Sequence, residues 1–214
     1  GGRSQHERHH VTRIAVIDHG AGNLVSIAQG LQDKGARVVV AAAPSDLAGI
    51  DGIVLPGVGA TGATMDRIRA AGLEEPLIEW QGPLLGVCVG LQLFFTTSEE
   101  DGGRTLGLIP GSVRRLASAP RLPHIGWNDV VLRRDPVFAG IPSGSTFYFV
   151  HSFAPVPENP ATVIATCDYG TEFVAAVRSG SRVGVQFHPE RSGPVGLRLL
   201  GNFVDECREA ADAA

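Results

Sequence analysis

The strongest chemical signal in this chain is a cysteine set between two glycines, Gly86-Val87-Cys88-Val89-Gly90. The pattern has the form of a nucleophile elbow, a sharp turn between a strand and a helix that lifts one reactive side chain clear. The glycines permit the tight turn and keep bulk away from the sulfur. A helix starting just after Cys88 would bring its partial positive charge to the sulfur and favour the thiolate. The Val89 backbone N–H would then point at the oxygen of a tetrahedral intermediate. Taken alone, the pentapeptide is equally compatible with a buried, inert cysteine at a strand end.

Two further residues break that tie. His188-Pro189-Glu190 follows the apolar run Val183–Phe187, which reads as a strand. A histidine just past a strand end can reach the elbow of a neighbouring strand, take the thiol proton and return it to the leaving group. Glu190, two residues on, can hold the imidazole in orientation. A turn histidine and a solvated acid are the plain alternatives for each residue alone. Together with an elbow cysteine they favour a Cys88-His188-Glu190 triad.

Gly57-Val58-Gly59-Ala60-Thr61-Gly62 spells the G-x-G-x-x-G of a dinucleotide-binding turn. It follows the third strand rather than the first, and the acids at the expected distance, Glu74 and Glu75, fall in a helical stretch. An oxyanion loop suits it better, because small residues let the Val58 or Gly59 N–H approach a carbonyl beside Cys88. The earlier Gly20-Ala21-Gly22-Asn23 reads as a strand-to-helix turn with an asparagine cap.

These residues need elements to position them. Strands are expected at Thr12–Ile17, Arg37–Ala42, Gly52–Leu55 and Leu84–Val87, alternating with helices at Leu24–Lys34, Thr61–Ala71, Leu73–Trp80 and Gly90–Phe95. That alternation means α/β architecture with a mostly parallel central sheet flanked by helices. Downstream, Ser112–Leu116, Asp129–Leu132, Thr146–Val150, Thr162–Thr166, Phe173–Arg178 and Val183–Phe187 read as strands joined by turns, an antiparallel extension of the same sheet. A closing helix is expected over Val195–Arg208. Residues 12–214 read as one domain, and residues 1–11 as a disordered extension whose His6, His9 and His10 could bind a metal adventitiously.

Composition narrows the function classes. With 214 residues, the chain can bury a sizeable core. The net charge of −4 comes without any basic block, which argues against nucleic acid as a partner. Three unpatterned cysteines, Cys88, Cys167 and Cys207, are no disulfide framework and suit a reducing cytoplasm. No apolar run is long enough for a membrane span.

Pro56-Gly57-Val58-Gly59, the stretch from Gly86 to Phe94, and Gln186-Phe187-His188-Pro189-Glu190 closely resemble the class I glutamine amidotransferases. Four further segments resemble the glutaminase subunits of imidazole glycerol phosphate synthases within that class: Asp18–Leu24, Pro123–Asn128, Tyr148–Phe153 and His188–Gly193. The resemblance runs from about Thr12 to Val204, with His19 where tyrosine is usual and Arg191 where lysine is usual. It implies hydrolysis of glutamine through a glutamyl thioester on Cys88, with the oxyanion held by N–H groups of Val89 and of the Gly57–Gly59 loop. It implies that Gly57, Gln92, Glu100 and the His151-Ser152-Phe153 segment bind the substrate. It also implies delivery of ammonia to a (β/α)₈ cyclase subunit in a heterodimer, in histidine biosynthesis, with no metal or organic cofactor. A glutaminase for another acceptor, of the anthranilate or guanylate synthase type, is the nearest alternative. A stand-alone cysteine hydrolase is a more distant one. A silent regulatory module fits poorly, since it would be free to lose any member of the triad.

Overall fold

The alternation of short β-branched runs with amphipathic helices builds one large mixed sheet. The computed structural model describes residues 10–214. The expected extension, with His6 and His9, falls outside the described residues except for its last two positions, where His10 Nε2 lies 2.8 Å from Asp51 Oδ2.

In chain order the elements are β1 (Arg13–Ile17), α1 (Val25–Asp33), β2 (Arg37–Ala41), β3 (Gly52–Leu55), α2 (Thr61–Ala70), α3 (Glu74–Glu79), β4 (Leu84–Val87) and α4 (Val89–Gln92). There follow β5 (Thr97–Ser98), β6 (Gly111–Arg115), β7 (His124–Leu132), β8 (Thr146–His151), β9 (Phe153–Pro157), β10 (Val163–Asp168), β11 (Glu172–Ser179), β12 (Arg182–Val185) and α5 (Gly193–Asp212). The main sheet has nine strands in the order β2-β1-β3-β4-β12-β11-β10-β7-β8. The pairings from β2 to β12 are parallel, and those from β12 to β8 antiparallel. β3 and β4 are buried along their whole length, as strands covered on both faces should be.

α5 covers the parallel half with a stripe of Leu199, Leu200, Phe203, Val204 and Cys207 at helical spacing. It lies so close to β3 that a Cβ on Gly52 would meet the Cys207 sulfur at 2.2 Å. Register then sets the site. β12 runs parallel to β4 with Gly184 opposite Gly86 and Val185 opposite Val87, so the residues that follow each strand emerge side by side.

The structure departs from the sequence-based expectation in three places. The Ser112–Leu116 segment, observed as β6, does not extend the main sheet but pairs with β5 and β9 in a separate three-stranded sheet. Pro155 and Pro157 hide β9 in the sequence, and the strand tolerates them because it lies at that sheet's edge. β7 begins at His124, well before Asp129, because Gly126 and two polar residues interrupt its apolar pattern. Finally, α4 is a single turn, shorter than Gly90–Phe95. The carbonyls of Leu93, Phe94 and Phe95 turn away to accept from the N–H groups of Leu106, Leu108 and Gly107.

Candidate active site

Cys88 occupies a backbone conformation that few side chains tolerate, with φ 56° and ψ −112°. Such a residue costs on the order of 1–3 kcal/mol and persists only where its surroundings over-determine it. Here the surroundings do so. A Cβ on Gly90 would lie 1.8 Å from the Leu55 carbonyl oxygen, and one on Gly86 would lie 2.8 Å from the Leu91 nitrogen. Only glycine at both positions lets α4 back onto β3 and β4 this closely. The Cys88 N–H donates to the Val185 carbonyl at 2.9 Å, which ties the elbow to β12.

The His188–Glu190 segment is fastened to β8. The His188 N–H donates to the Tyr148 carbonyl at 2.9 Å, and the Tyr148 N–H donates to Ser192 Oγ at 3.0 Å. His188 Nδ1 donates to Glu190 Oε1 at 2.6 Å, which leaves Nε2 free on the side away from the carboxylate. Burial works against a charged ring here. The nearby Cys88 sulfur and the bond to the Glu190 carboxylate outweigh it and push the imidazole up to about 10. These partners favour the charged imidazolium over the neutral ring.

Cys88 and His188 open onto a cavity of about 390 Å³, large enough for a free amino acid. The expected residues Val58, Gly59, Val89 and Gln92 line it, as do Glu100, His151, Ser152 and Phe153. Gly57 does not. It packs against α4, where a Cβ would meet Val89 Cβ at 2.9 Å. Glu190 stands behind His188, beside a second, small cavity lined by Gly22, Asn23 and Val58. Glu100 Oε2 accepts the Thr61 N–H at 3.1 Å, and so fixes the start of α2 just after the glycine loop. Asn23 Oδ1 accepts the Val25 N–H at 2.9 Å, as expected of an asparagine at a helix start. Among the described residues, no three His, Cys, Asp or Glu side chains gather as metal ligands would.

The Glutamine amidotransferase class-I family profile matches residues 15–207. The chain belongs to the class I glutamine amidotransferase family. Among its relatives is the "Imidazole glycerol phosphate synthase subunit HisH" of Synechococcus sp. (strain JA-3-3Ab), 48% identical over 201 residues, 90% of this chain and 93% of that protein. The protein of the same name from Xylella fastidiosa (strain Temecula1) is 46% identical over 198 residues, 91% of this chain and 98% of its own. A solved structure described as a "putative gmp synthase subunit a protein" from Thermoplasma acidophilum shares the fold with a TM-score of 0.75 at 24% identity, over 96% of this chain and 98% of its own. PurLQS from Thermotoga maritima does so with a TM-score of 0.71 at 19% identity, over 92% and 99%.

This glutamine amidotransferase brings further residues to the cavity that motif reasoning left without a role. Pro123, Val150 and Arg191 line it, and the Arg191 guanidinium lies 4.3 Å over the Tyr148 ring. His19 Nε2 donates to the Pro56 carbonyl at 2.9 Å, one residue before the glycine loop. Gln186 is fully buried and directs Nε2 at the Cys88 sulfur, 3.7 Å away. In the sequence it opens the family-like Gln186-Phe187-His188-Pro189-Glu190 run but, lying in a strand, gains no role of its own there. Ile125 and Trp127 on β7 are apolar yet 60% and 57% exposed, and Trp127 packs edge-on against Tyr148 beside the cavity. Among the described residues no helix is long and apolar enough to cross a membrane.

Proposed function

We propose that this chain hydrolyses glutamine to glutamate and ammonia as the glutaminase subunit of an imidazole glycerol phosphate synthase. The observation that carries the chemistry is the Cys88–His188–Glu190 arrangement at the mouths of two adjacent parallel strands. The 48% identity to a named subunit of that synthase, over nearly the full length of both chains, supports the specific assignment.

In this reading the Cys88 thiolate attacks the side-chain amide of glutamine. Val89 and the Val58 or Gly59 N–H receive the developing oxyanion. The His188 imidazolium gives its proton to the departing ammonia, leaving a glutamyl thioester. His188, now neutral, takes a proton from a water that attacks the thioester, which releases glutamate and restores the thiolate–imidazolium pair. Both amide hydrogens of Gln92 are engaged inward, to the Phe153 carbonyl and to Gln186 Oε1, each at 3.1 Å. The Gln92 oxygen therefore remains to meet the substrate, and an acceptor suits an α-ammonium group. The exposed Ile125 and Trp127, with Tyr148 and Arg191 next to them, form the face on which a cyclase subunit docks. The ammonia passes to that (β/α)₈ partner within a cytoplasmic heterodimer.

The test is glutamate release and imidazole glycerol phosphate formation by the chain mixed with such a cyclase and its aminoimidazole-carboxamide nucleotide substrate. The expected result is a tight complex that makes the product from glutamine. No complex, with full glutaminase activity in the chain alone, would point instead to a stand-alone hydrolase.

A further inference from the structure

A connected set of hydrogen bonds, exposed at its start and buried toward its end, runs from β7, next to the sheet's edge strand, to the reactive sulfur. It begins at Asn128, whose Nδ2 donates to the Asp168 carbonyl at 2.8 Å and to His124 Nε2 at 3.3 Å. His124 and His151 face each other across β7 and β8, with His124 Nδ1 2.9 Å from His151 Nε2. His151 Nδ1 lies 2.8 Å from the Phe153 carbonyl, which also receives Gln92 Nε2 at 3.1 Å. Gln92 Nε2 donates onward to Gln186 Oε1 at 3.1 Å, and Gln186 Nε2 reaches the Cys88 sulfur at 3.7 Å.

The Phe153 carbonyl can only accept, and it sets the sense of the bonds on either side of it. His151 therefore carries its proton on Nδ1, and Gln92 turns its amide nitrogen to Phe153. The second hydrogen of that nitrogen then needs an acceptor, which forces Gln186 to offer its oxygen to Gln92. The Gln186 nitrogen is left facing the sulfur. At the other end a neutral His151 accepts at Nε2, so His124 donates from Nδ1 and accepts from Asn128. His124 is clamped between the Phe149 and Tyr169 rings, at 4.9 and 4.0 Å, and cannot turn over without unstacking.

We propose that Gln186 donates a hydrogen bond to the Cys88 sulfur and favours its thiolate, that Gln92 is the positioning residue that fixes the direction of that bond, and that His151, backed by His124, holds in place the Phe153 carbonyl that orients Gln92. The donor has an opponent. The Val150 carbonyl lies 3.6 Å from the same sulfur and can only accept, which favours the thiol. Turning the Gln186 amide over would set a second acceptor there. The inference rests on Cys88 being the nucleophile, as the proposed function has it.

The experiment is alkylation of the full-length chain by iodoacetamide at pH 7, with the rate at Cys88 followed by peptide mass. All three cysteines are buried, but only Cys88 lines the cavity, so Cys167 and Cys207 serve as internal controls. Gln186→Met removes the donor without adding charge. Losing one hydrogen bond to a charged group slows the reaction roughly tenfold to a hundredfold. His151→Leu releases the Phe153 carbonyl and slows Cys88 in the same sense. His151→Asn, which keeps an N–H near the place of Nδ1, restores most of the rate. A folded Gln186→Met chain alkylated at the wild-type rate, with Cys88→Ala inactive as a glutaminase, overturns this inference alone. Should Gln186→Met not fold, equal rates in wild type, His151→Leu and His151→Asn overturn it. Glutaminase activity retained in Cys88→Ala would instead sink the functional reading beneath it.

Discussion

His188 Nδ1 and Glu190 Oε1 lie 2.6 Å apart although only Pro189 separates the two residues. The proline holds the segment in a tight turn, so the acid orients the imidazole from the same short stretch of chain. This division of labour predicts unequal losses. His188→Ala removes the proton shuttle and should lower glutamine turnover by about 10⁴-fold or more, while Glu190→Gln should cost roughly ten- to a hundredfold less than that. Steady-state glutamate release decides the matter. Equal and trivial losses would mean that the triad is misassigned.

The elbow itself depends on the close approach of Gly90 to β3. Gly90→Ala would drive a methyl group to 1.8 Å from the Leu55 oxygen. Overpacking of this severity should destabilise the chain by about 3 kcal/mol. A urea midpoint unchanged from wild type would show that α4 can move away freely.

The loop at Val58 carries the second prediction about catalysis. Val58 is 43% exposed, and Gly59 beyond it has φ +86°, a conformation that glycine adopts at little cost. The Val58 peptide can therefore present an N–H or a carbonyl to the oxyanion, and partner binding should select the N–H. The lone chain should release glutamate about a hundred- to a thousandfold more slowly than the full assembly, the typical worth of one oxyanion donor. Val58→Pro removes the N–H and should depress the assembly as well. Full activity in that variant would leave Gly59 as the donor.

Stability should fall in mild acid for a nameable reason. Burial pushes both His124 and His151 down to about 4, from an ordinary value of 6.5. Between those values the unfolded chain takes up protons that the folded one refuses, so stability drops as pH falls through that window. His188 works in the opposite sense and elsewhere. Its raised value gives stability present below about 6.5 and lost as pH rises through about 10. Melting temperatures should thus decline from pH 7 to pH 4.5, and less steeply in a His124→Asn/His151→Asn chain. An unchanged slope in that chain would place the acid sensitivity in other groups.

Much of the site was legible in the sequence because its parts are local. The Leu84–Val87 strand is a short buried run ending on the cysteine, and His188 and Glu190 sit together two residues apart. What was not legible depends on register. Gln186 reads as a strand terminus, and only the pairing of β4 with β12 sets it beside Cys88. His124 and His151 lie in segments that resemblance singled out, yet nothing in either segment says that their rings meet across β7 and β8. β9 was hidden by prolines that its edge position tolerates, and with it went the separate sheet that β6 joins.

The central claim is that Cys88 forms the covalent bond to glutamine and that the ammonia is used elsewhere. Cys88→Ala, assembled with its cyclase, tests it most directly. The expected result is no product from glutamine, with synthesis from added ammonium salt at the wild-type rate, because the acceptor chemistry belongs to the partner. Product formed from glutamine by the Cys88→Ala assembly would contradict the account.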